Sequence, residues 1–469
     1  MAEDRGACDA AWFAGAAGGY IASGSNASIG RVETDSRKAG PFALFVAIRG
    51  ERSDGHDYAR RAADAGSPAA LVSASWWAIH GPAAFAGSPC AVIVVPDTLA
   101  ALQKAAASYR ARLPSLLRFG VTGSAGKTSA KELLAAIVGA SRPTVKNPGN
   151  LNSDIGLPAS MFLARPEHEA AVFEMGINRP GEMDELAAVY EPDCALITNV
   201  GTAHVGVLGG TRRAIAEQKK RIASRFDGRQ TLIVWEDDDL RDTLMSGVRG
   251  RVETYGPRST DGFEGARDLG LEGWALRYRG VEARLRLPGA HNLLNALAAI
   301  RAATLYGAGP EHVAAGLEAV SPLSGRTSVI RGEYTVVDDS YNANAESAIA
   351  AIGFCDGANV TGGRIYVLGS MKELGAETVP SHRRVGEAVA GSKADAVFFY
   401  GDEARDAYEA ALAARPDGEY RWFGDYGELE SAVAAAVTPG DLILVKASRS
   451  MALERLVARL TGTGGDHVS

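Results

Sequence analysis

Short apolar runs alternate with longer, Ala-rich amphipathic stretches along most of the chain. Residues 91–95 (AVIVV), 171–175 (AVFEM), 194–198 (CALIT), 231–235 (TLIVW), 334–338 (YTVVD), 365–369 (IYVLG), 396–400 (AVFFY) and 442–446 (LILVK) have the length and apolar content of buried strands. Between them, 98–112, 127–140, 211–225, 292–306 and 381–391 follow helical periodicity. Strands alternating with helices predict βαβ units and parallel sheets, hence an α/β fold. Residues 251–288 alternate and are punctuated by Gly, which predicts a small β insertion in the middle of the chain. No fixed-period repeat or low-complexity tract interrupts the pattern.

Two joints divide it. Pro96-Asp97-Thr98 predicts a helix start, with residues 97–112 leading into a strand at 117–121. The second joint is Ser321-Pro-Leu-Ser-Gly325, after an Ala-rich helix. The expected domains are 1–99, 100–322 and 323–469, with hinges near 97–112 and 321–326. At ~150 residues per domain, a chain of 469 residues agrees with three.

Composition and charge narrow the function class. The balance of 49 Lys+Arg against 56 Asp+Glu gives a net charge of −7, with no basic excess for nucleic acid or anionic lipid. Cys8, Cys90, Cys194 and Cys355 are far apart and form no CxxC, so neither a zinc knuckle nor a disulfide framework is indicated. The start, MAEDRGACDAAWFAGAAGGYIASG, is acidic and its apolar run is broken by glycines, unlike a secretory signal. No apolar run approaches the ~18 residues of a membrane span, so a soluble, cytoplasmic protein is expected. Among the 49 cations only ten are Lys (38, 104, 127, 131, 146, 219, 220, 372, 393 and 446). Where a bare positive charge suffices this chain uses Arg, so each Lys asks for its own reason.

The strongest local signal is Phe119-Gly-Val-Thr-Gly-Ser-Ala-Gly-Lys-Thr-Ser129, between a predicted strand and a predicted helix. Glycines let several backbone N–H groups point at one anion, and a helix N-terminus adds its dipole. Lys127 would reach the β/γ-phosphates of a nucleotide, and the Thr128 hydroxyl would ligate Mg²⁺. The match to G-x-x-x-x-G-K-[ST] is imperfect, because Val121 stands where the first Gly belongs. The plain alternative is a Gly-rich turn with an incidental Lys. Downstream, Glu174 ends one strand and His204 follows another, where ligands gather in parallel sheets. Alone, each reads as readily as a cap or a structural histidine; with the phosphate loop they form a candidate metal and nucleotide site.

Five segments carry a resemblance. Gly123-Ser-Ala-Gly-Lys-Thr-Ser129, Asn150-Leu-Asn-Ser-Asp-Ile-Gly156, Phe173-Glu-Met-Gly-Ile-Asn178, Thr198-Asn-Val-Gly-Thr-Ala-His204 and Gly289-Ala-His-Asn-Leu-Leu-Asn295 resemble, in order and over nearly the whole chain, the Mur ligases. These are ATP-dependent amide-forming enzymes of bacterial cell-wall synthesis, and their phosphate loop is shorter than the general motif. Val32-Glu-Thr-Asp-Ser-Arg37 and Leu44-Phe-Val-Ala-Ile-Arg-Gly-Glu-Arg-Ser-Asp-Gly-His56 are similar to the nucleotide-sugar domain of members adding the third amino acid or the terminal dipeptide. Asp338-Asp-Ser-Tyr-Asn-Ala-Asn344 and Val445-Lys-Ala-Ser-Arg-Ser-Met451 are similar to the dipeptide-adding member, and the Asp-Asn-Pro-Arg signature of many third-residue ligases is absent.

The resemblance implies three domains, with a central P-loop parallel-sheet ATPase domain and a C-terminal Rossmann-like domain. It implies ATP and Mg²⁺ as cofactors, UDP-N-acetylmuramoyl-tripeptide and D-alanyl-D-alanine as substrates, and a monomer with no nucleic acid or membrane partner. Residues 123–129 (Gly123, Ser124, Ala125, Gly126, Lys127, Thr128 and Ser129), with Asn295, Arg326 and Asp339, would bind ATP. Thr128, Glu174, His204 and Lys219 would hold Mg²⁺, with Lys127, His204 and Lys219 serving catalysis. Asp35, Ser36, Arg37, Asp54, Gly55, His56, Asn150 and Asn152 match the UDP-sugar-peptide motifs, and Ser448 and Arg449 the dipeptide region, as does the turn Gly369-Ser-Met-Lys-Glu-Leu-Gly375. Family members carry near Lys219 a lysine whose amine is carbamylated by CO₂, an option closed to a guanidinium. Lys219 is preferred because Ile222 then falls on the family's following apolar position, with Lys220 as the alternative. Ala345 replaces a common Pro, Ala447 a common Gly and Ser370 a frequent Asp. Two other readings stand beside the dipeptide ligase: a ligase adding the third amino acid, and a non-catalytic nucleotide-dependent binding protein.

Overall fold

The computed structural model describes residues 6–50 and 53–462. Glu51 and Arg52 of the nucleotide-sugar motif, and the acidic first five residues, lie outside the described residues. Three larger sheets follow one another along the chain. The first has five strands, in the order Tyr20–Ser23, Ala91–Val95, Ala69–Ser73, Ala43–Val46, Arg31–Glu33, parallel except for the edge strand Tyr20–Ser23. The second has six parallel strands, ordered Arg251–Tyr255, Thr231–Trp235, Cys194–Ile197, Leu117–Thr122, Ala170–Glu174, Thr144–Lys146. The third has six strands, ordered Ser328–Arg331, Thr335–Asp339, Leu442–Lys446, Arg364–Gly369, Ala396–Tyr400, Tyr420–Phe423, antiparallel only at Ser328–Arg331.

The α/β architecture follows from the apolar runs. All eight become strands, displaced by at most one residue at either end. The helix predicted at 211–225 stops at Lys220 and tightens into a 3₁₀ turn, Arg221–Ala223. Residues 251–288 do not all belong to one β insertion. Arg251–Tyr255 is the edge strand of the central parallel sheet, and only Phe263–Asp268, Trp274–Tyr278 and Val281–Leu285 form the antiparallel insertion. Local alternation cannot tell an edge strand half-covered by one face from an inserted hairpin.

The joints differ in kind. Asp97 caps the helix Thr98–Arg110, accepting from Ala100 N at 2.8 Å. One continuous apolar core then joins Phe13, Leu44 and Ile93 of the first sheet's layer to Leu102 and Tyr109 of this helix and to Phe162 and Phe173 of the central layer. Buried Arg165 adds polar stitches, donating from Nη2 to Gly30 O at 2.6 Å and from Nη1 to Ala164 O at 2.9 Å. The expected hinge near 97–112 is therefore a weld, since bending there would expose a shared core. The C-terminal sheet has its own cores on its two faces. It meets the central layer largely through polar groups: Thr202 with Glu346, His204 with Glu373, Thr327 with His291 and Arg331 with Glu272. Polar interfaces of this sort are the ones across which domains move.

The weld is testable. Phe13 is fully buried and its ring centroid lies 5.5 Å from that of Phe162. Phe13→Ala should cost about 3–5 kcal/mol, and hydrogen exchange should rise in both the N-terminal and central sheets. Loosening confined to residues before Thr98 would contradict a shared core.

Candidate active site

The strand Leu117–Thr122 lies at the middle of the central sheet. Successive strands are added first on one side of it, then on the other, so the loops beyond its end and its neighbours' ends share a crevice. The chain leaves this strand through Gly123 (φ +153°) and Gly126 (φ +78°), then enters the helix Lys127–Gly139. A Cβ on Gly123 would lie 1.9 Å from Thr198 Oγ1, and one on Gly126 would lie 2.4 Å from Asn295 Oδ1. Val121 is a buried strand residue, so the turn begins at Gly123 and the general motif's first Gly has no place here. Asn199 fastens the loop from the neighbouring strand, accepting from Ala125 N at 3.0 Å and donating to Ala125 O at 3.1 Å. Ser129 lies in the helix's first turn.

Two lysine amines meet at one carbonyl oxygen. Lys127 Nζ and Lys219 Nζ each donate to Gly123 O at 2.9 Å. Burial, with Arg326 adding to it and Glu174 opposing, lowers the Lys127 pKa. Burial and then the Lys127 charge push Lys219 well below the ordinary lysine value, again against Glu174. Lys220 turns away, donating to Thr243 O and pairing with Glu217 at 2.7 Å. Of the two candidates only Lys219 enters the crevice.

Glu174 is the carboxylate that faces these amines. Its Oε2 accepts from Thr128 Oγ1 at 2.6 Å and its Oε1 from Asn152 Nδ2 at 2.7 Å. Fully buried Asn147 holds its backbone, accepting from Glu174 N and donating to Glu174 O, and in turn Lys131 Nζ donates to Asn147 O at 2.8 Å. His204 lines the same crevice, in a left-handed backbone conformation (φ +60°). Its pKa is lowered by burial and by Lys127, with Glu373 opposing.

The C-terminal sheet closes the crevice from above. Arg326 projects into it, its guanidinium 4.0 Å from the centroid of the Tyr341 ring. Asp339 also lines it; Oδ1 accepts from Thr327 N at 3.0 Å and Oδ2 pairs with buried Lys446 at 2.6 Å. Asn295 is buried beneath the loop and donates to Asn292 Oδ1 at 3.2 Å.

Other candidates lie elsewhere. Asn150 is exposed and does not line the crevice, unlike Asn152. Asp35 caps the turn Ser36–Lys38, and its bidentate bonds from Arg37 hold its carboxyl down at about 2. Asp54 caps Gly55–Tyr58; burial raises its pKa, but bonds from His56 and Arg49 outweigh this and leave it at about 2. His56 Nε2 accepts from Ser73 N at 2.9 Å, which leaves Nδ1 as the protonated nitrogen toward Asp54. Both turns follow the ends of adjacent parallel strands, Arg31–Glu33 and Ala43–Val46. Ser448 Oγ accepts from Lys372 N at 2.9 Å, while Arg449 is exposed and pairs with Glu454. Ser370 is buried and accepts from Ala404 N, a task for a small hydroxyl.

Residues 28–110 match the Mur ligase family catalytic domain, 121–303 the Mur ligase middle domain and 325–449 the Mur ligase glutamate ligase domain. A UDP-N-acetylmuramoyl-tripeptide–D-alanyl-D-alanine ligase of Treponema pallidum is 40% identical over 91% of this chain and 92% of its own length. The chain belongs to the Mur ligase family. The Bacillus subtilis protein of the same name is 36% identical over 92% of each. A crystal structure of MurF from Acinetobacter baumannii superposes with a TM-score of 0.83 at 29% identity, over 96% of this chain and 98% of that one. MurF from Thermotoga maritima, solved in complex with ADP, gives 0.75 at 26% identity, over 92% and 97%.

Within this Mur ligase, Asn147 lies outside every motif above, while Asn199, Tyr341 and Glu373 lie inside motifs that mark other residues. Tyr341 lines the crevice, and the other three support it through contacts with Glu174, Ala125 and His204. Lys131 had one usable signal, its being Lys in a chain that prefers Arg: a flexible amine can thread to two backbone carbonyls, at Asn147 and Gly149.

The buried amine predicts a pH effect of definite sign. Unfolded Lys219 binds a proton up to its ordinary value of 10.5, whereas folded Lys219 has released it far lower. Between those limits the unfolded chain holds more protons, so stability rises with pH. In bicarbonate-free buffer, Lys219→Met should flatten the rise in denaturation midpoint as pH climbs toward the ordinary lysine value of 10.5. Parallel profiles for the two proteins would mean that Lys219 stays charged in the fold.

Proposed function

We propose that this Mur ligase joins D-alanyl-D-alanine to UDP-N-acetylmuramoyl-tripeptide using ATP, making the pentapeptide precursor of peptidoglycan. The observation that carries the reading is the 40% identity, spread over 91% of the chain, with a ligase of that name. The crevice supplies compatible chemistry: an anion-binding loop, two lysines and an arginine, and two carboxylates, Glu174 and Asp339.

A carboxylate does not react with an amine until one of its oxygens becomes a leaving group. Transfer of the ATP γ-phosphoryl to the tripeptide carboxylate forms an acyl phosphate and releases ADP. The dipeptide amine then attacks the carbonyl carbon, a C–N bond forms, phosphate leaves with the C–O electron pair, and the amine proton passes to solvent. Both steps gather negative charge on oxygens, which is where buried cations and helix N–H groups act most strongly. On this reading Lys127 exchanges the Gly123 carbonyl for the β/γ-phosphates, and Asn295 and Arg326 grip the nucleotide from either side of the crevice. Asp339 orients Thr327 and Lys446 at the same edge.

Thr128, Glu174 and His204, with a carbamate on Lys219, are the proposed Mg²⁺ ligands. Among the described residues no group of three or more His, Cys, Asp or Glu side chains forms a metal cage. One carboxylate and one hydroxyl beside a phosphate loop suit Mg²⁺, which keeps several waters and takes other ligands from the nucleotide. Bound there, Mg²⁺ would neutralise charge on the transferring phosphoryl group. The uncharged Lys219 amine adds CO₂ by forming an N–C bond and releasing a proton to water, which turns a buried neutral amine into an anion.

The segments 1–99, 100–322 and 323–469 then serve the UDP-sugar, ATP and the dipeptide. Asp35, Ser36, Arg37, Asp54, Gly55 and His56 belong to the first, and Ser448 and Arg449 to the last. The reaction draws on ATP and so belongs in the cytoplasm, and one chain carries every group named. Among the described residues no helix is long and apolar enough to cross a membrane.

Phosphate release with ATP and Mg²⁺ tests the proposal directly. Release is expected with UDP-N-acetylmuramoyl-tripeptide plus D-alanyl-D-alanine. Release instead with the dipeptide precursor plus a single amino acid would identify a third-residue ligase, and no release with any pair a binding protein. Lys219→Arg should lower turnover by about 10³-fold or more while circular dichroism stays unchanged; normal turnover would remove the carbamate from the mechanism.

A further inference from the structure

The loop that follows Cys194–Ile197 is held by the C-terminal sheet's layer at three alternate residues. Thr202 Oγ1 donates to Glu346 Oε2 at 2.9 Å, and Glu346 is steadied by Arg384 at 3.3 Å. His204 Nδ1 lies 2.6 Å from Glu373 Oε2. Gly206 meets Gly375 backbone to backbone, so closely that a Cβ on Gly206 would lie 2.7 Å from Gly375 N.

The middle contact is unlike the other two. His204 Nδ1 is removed from solvent and has no in-line hydrogen bond, although Glu373 Oε2 lies 2.6 Å from it. Both residues hold left-handed backbone conformations, His204 at φ +60° and Glu373 at φ +65°. Side chains disfavour that region, and such outliers persist only where surrounding structure imposes them. Two of them facing each other across a domain boundary mark a contact that the fold builds deliberately. Glu373 has no other ion pair among the described residues, and its side chain is 61% exposed, so stability of the C-terminal layer does not call for it.

We infer that Glu373 is a positioning residue for His204, supplied by the C-terminal domain only when that domain is closed. A small rotation of the ring would direct Nδ1–H to the Glu373 carboxylate 2.6 Å away and leave the imidazole lone pair on Nε2, the nitrogen left to serve the crevice. A carboxylate behind a ligating imidazole fixes its tautomer and orientation and strengthens it as a donor. Because Glu373 arrives from across a polar interface while His204 belongs to the welded half, the metal site is completed by domain closure. A substrate that closes the C-terminal domain thereby finishes the metal site, and an open enzyme carries an unoriented His204. This rests on the proposed role of His204 at the Mg²⁺ site.

Calorimetric titration of ADP, once with Mg²⁺ and once with EDTA, separates the possibilities, with Mn²⁺ binding in the presence of ADP followed by electron paramagnetic resonance. For Glu373→Ala the affinity for Mn²⁺ with ADP should fall by about 10–100-fold, and the Mg²⁺-dependent gain in ADP affinity should shrink with it. ADP binding in EDTA should match the wild type. Glu373→Gln, whose amide oxygen still accepts from Nδ1–H, should retain most of the gain. Unaltered Mn²⁺ affinity in Glu373→Ala would overturn the inference. So would an equal loss of ADP binding with and without metal, which would make Glu373 a domain-docking contact. If the wild type itself gains nothing from Mg²⁺, the proposed metal site fails, and this inference with it.

Discussion

Two lysine amines share one backbone carbonyl in the centre of this molecule, with a single carboxylate opposite them. Burying cations without matching anions is unfavourable, and the fold answers by depressing both pKa values rather than by adding acids. The rest of the crevice is arranged around that deficit. Glu174 is fixed at both oxygens, by Thr128 and Asn152, and its backbone is held by a buried Asn147 that depends on Lys131. What remains unsatisfied is a place for negative charge, which a nucleotide's phosphates and a carbamate would fill. On the proposed carbamate, Arg could not replace Lys219: a guanidinium stays charged when buried and cannot add CO₂.

The architecture divides into a rigid half and a docking half for a reason visible in its cores. One apolar core runs from the first sheet through helix Thr98–Arg110 into the central sheet, so those layers move together. The C-terminal layer has its own cores, with Leu271 of the middle segment packed against one of them, and otherwise touches its neighbour largely through hydroxyls, carboxylates and closely packed glycines. Polar contacts of that kind exchange readily with water, and their loss exposes little apolar surface. A ligase that must admit and release several substrates needs one interface of each kind. The crevice lies at the second, with the phosphate loop on the rigid side and Arg326, Asp339 and Glu373 on the other.

The candidate site was legible where a residue's type and its chain neighbours are enough. Gly123 through Thr128, Glu174 at a strand end, and His204 and Lys219 beyond later strands all stand in local patterns that chemistry recognises, and Ser124 through Lys127, Glu174, His204 and Lys219 line the crevice. Asn150 shows the reverse: its motif includes two asparagines, and only Asn152 reaches Glu174. Asn199, Asn147 and Glu373 stayed hidden, the first and last because their motifs mark other residues and Asn147 because it lies in no motif. Their partners are at Ala125, Glu174 and His204, far away in the chain.

The fold was legible in the same proportion. The apolar runs specify parallel strands because a strand covered on both faces must be apolar throughout, which is a local property. Residues 251–255 were misplaced because an edge strand of such a sheet loses that signature, and its pairing with Thr231–Trp235 is decided by the sheet. Strand content, the phosphate loop and the family were therefore determined by the chain itself, through periodicity and spacing. Which joint is welded, which of Lys219 and Lys220 turns inward, and which carboxylate stands behind His204 were decided only by tertiary packing. Each depends on how much surface two distant segments bury together, and no short stretch of sequence contains that quantity.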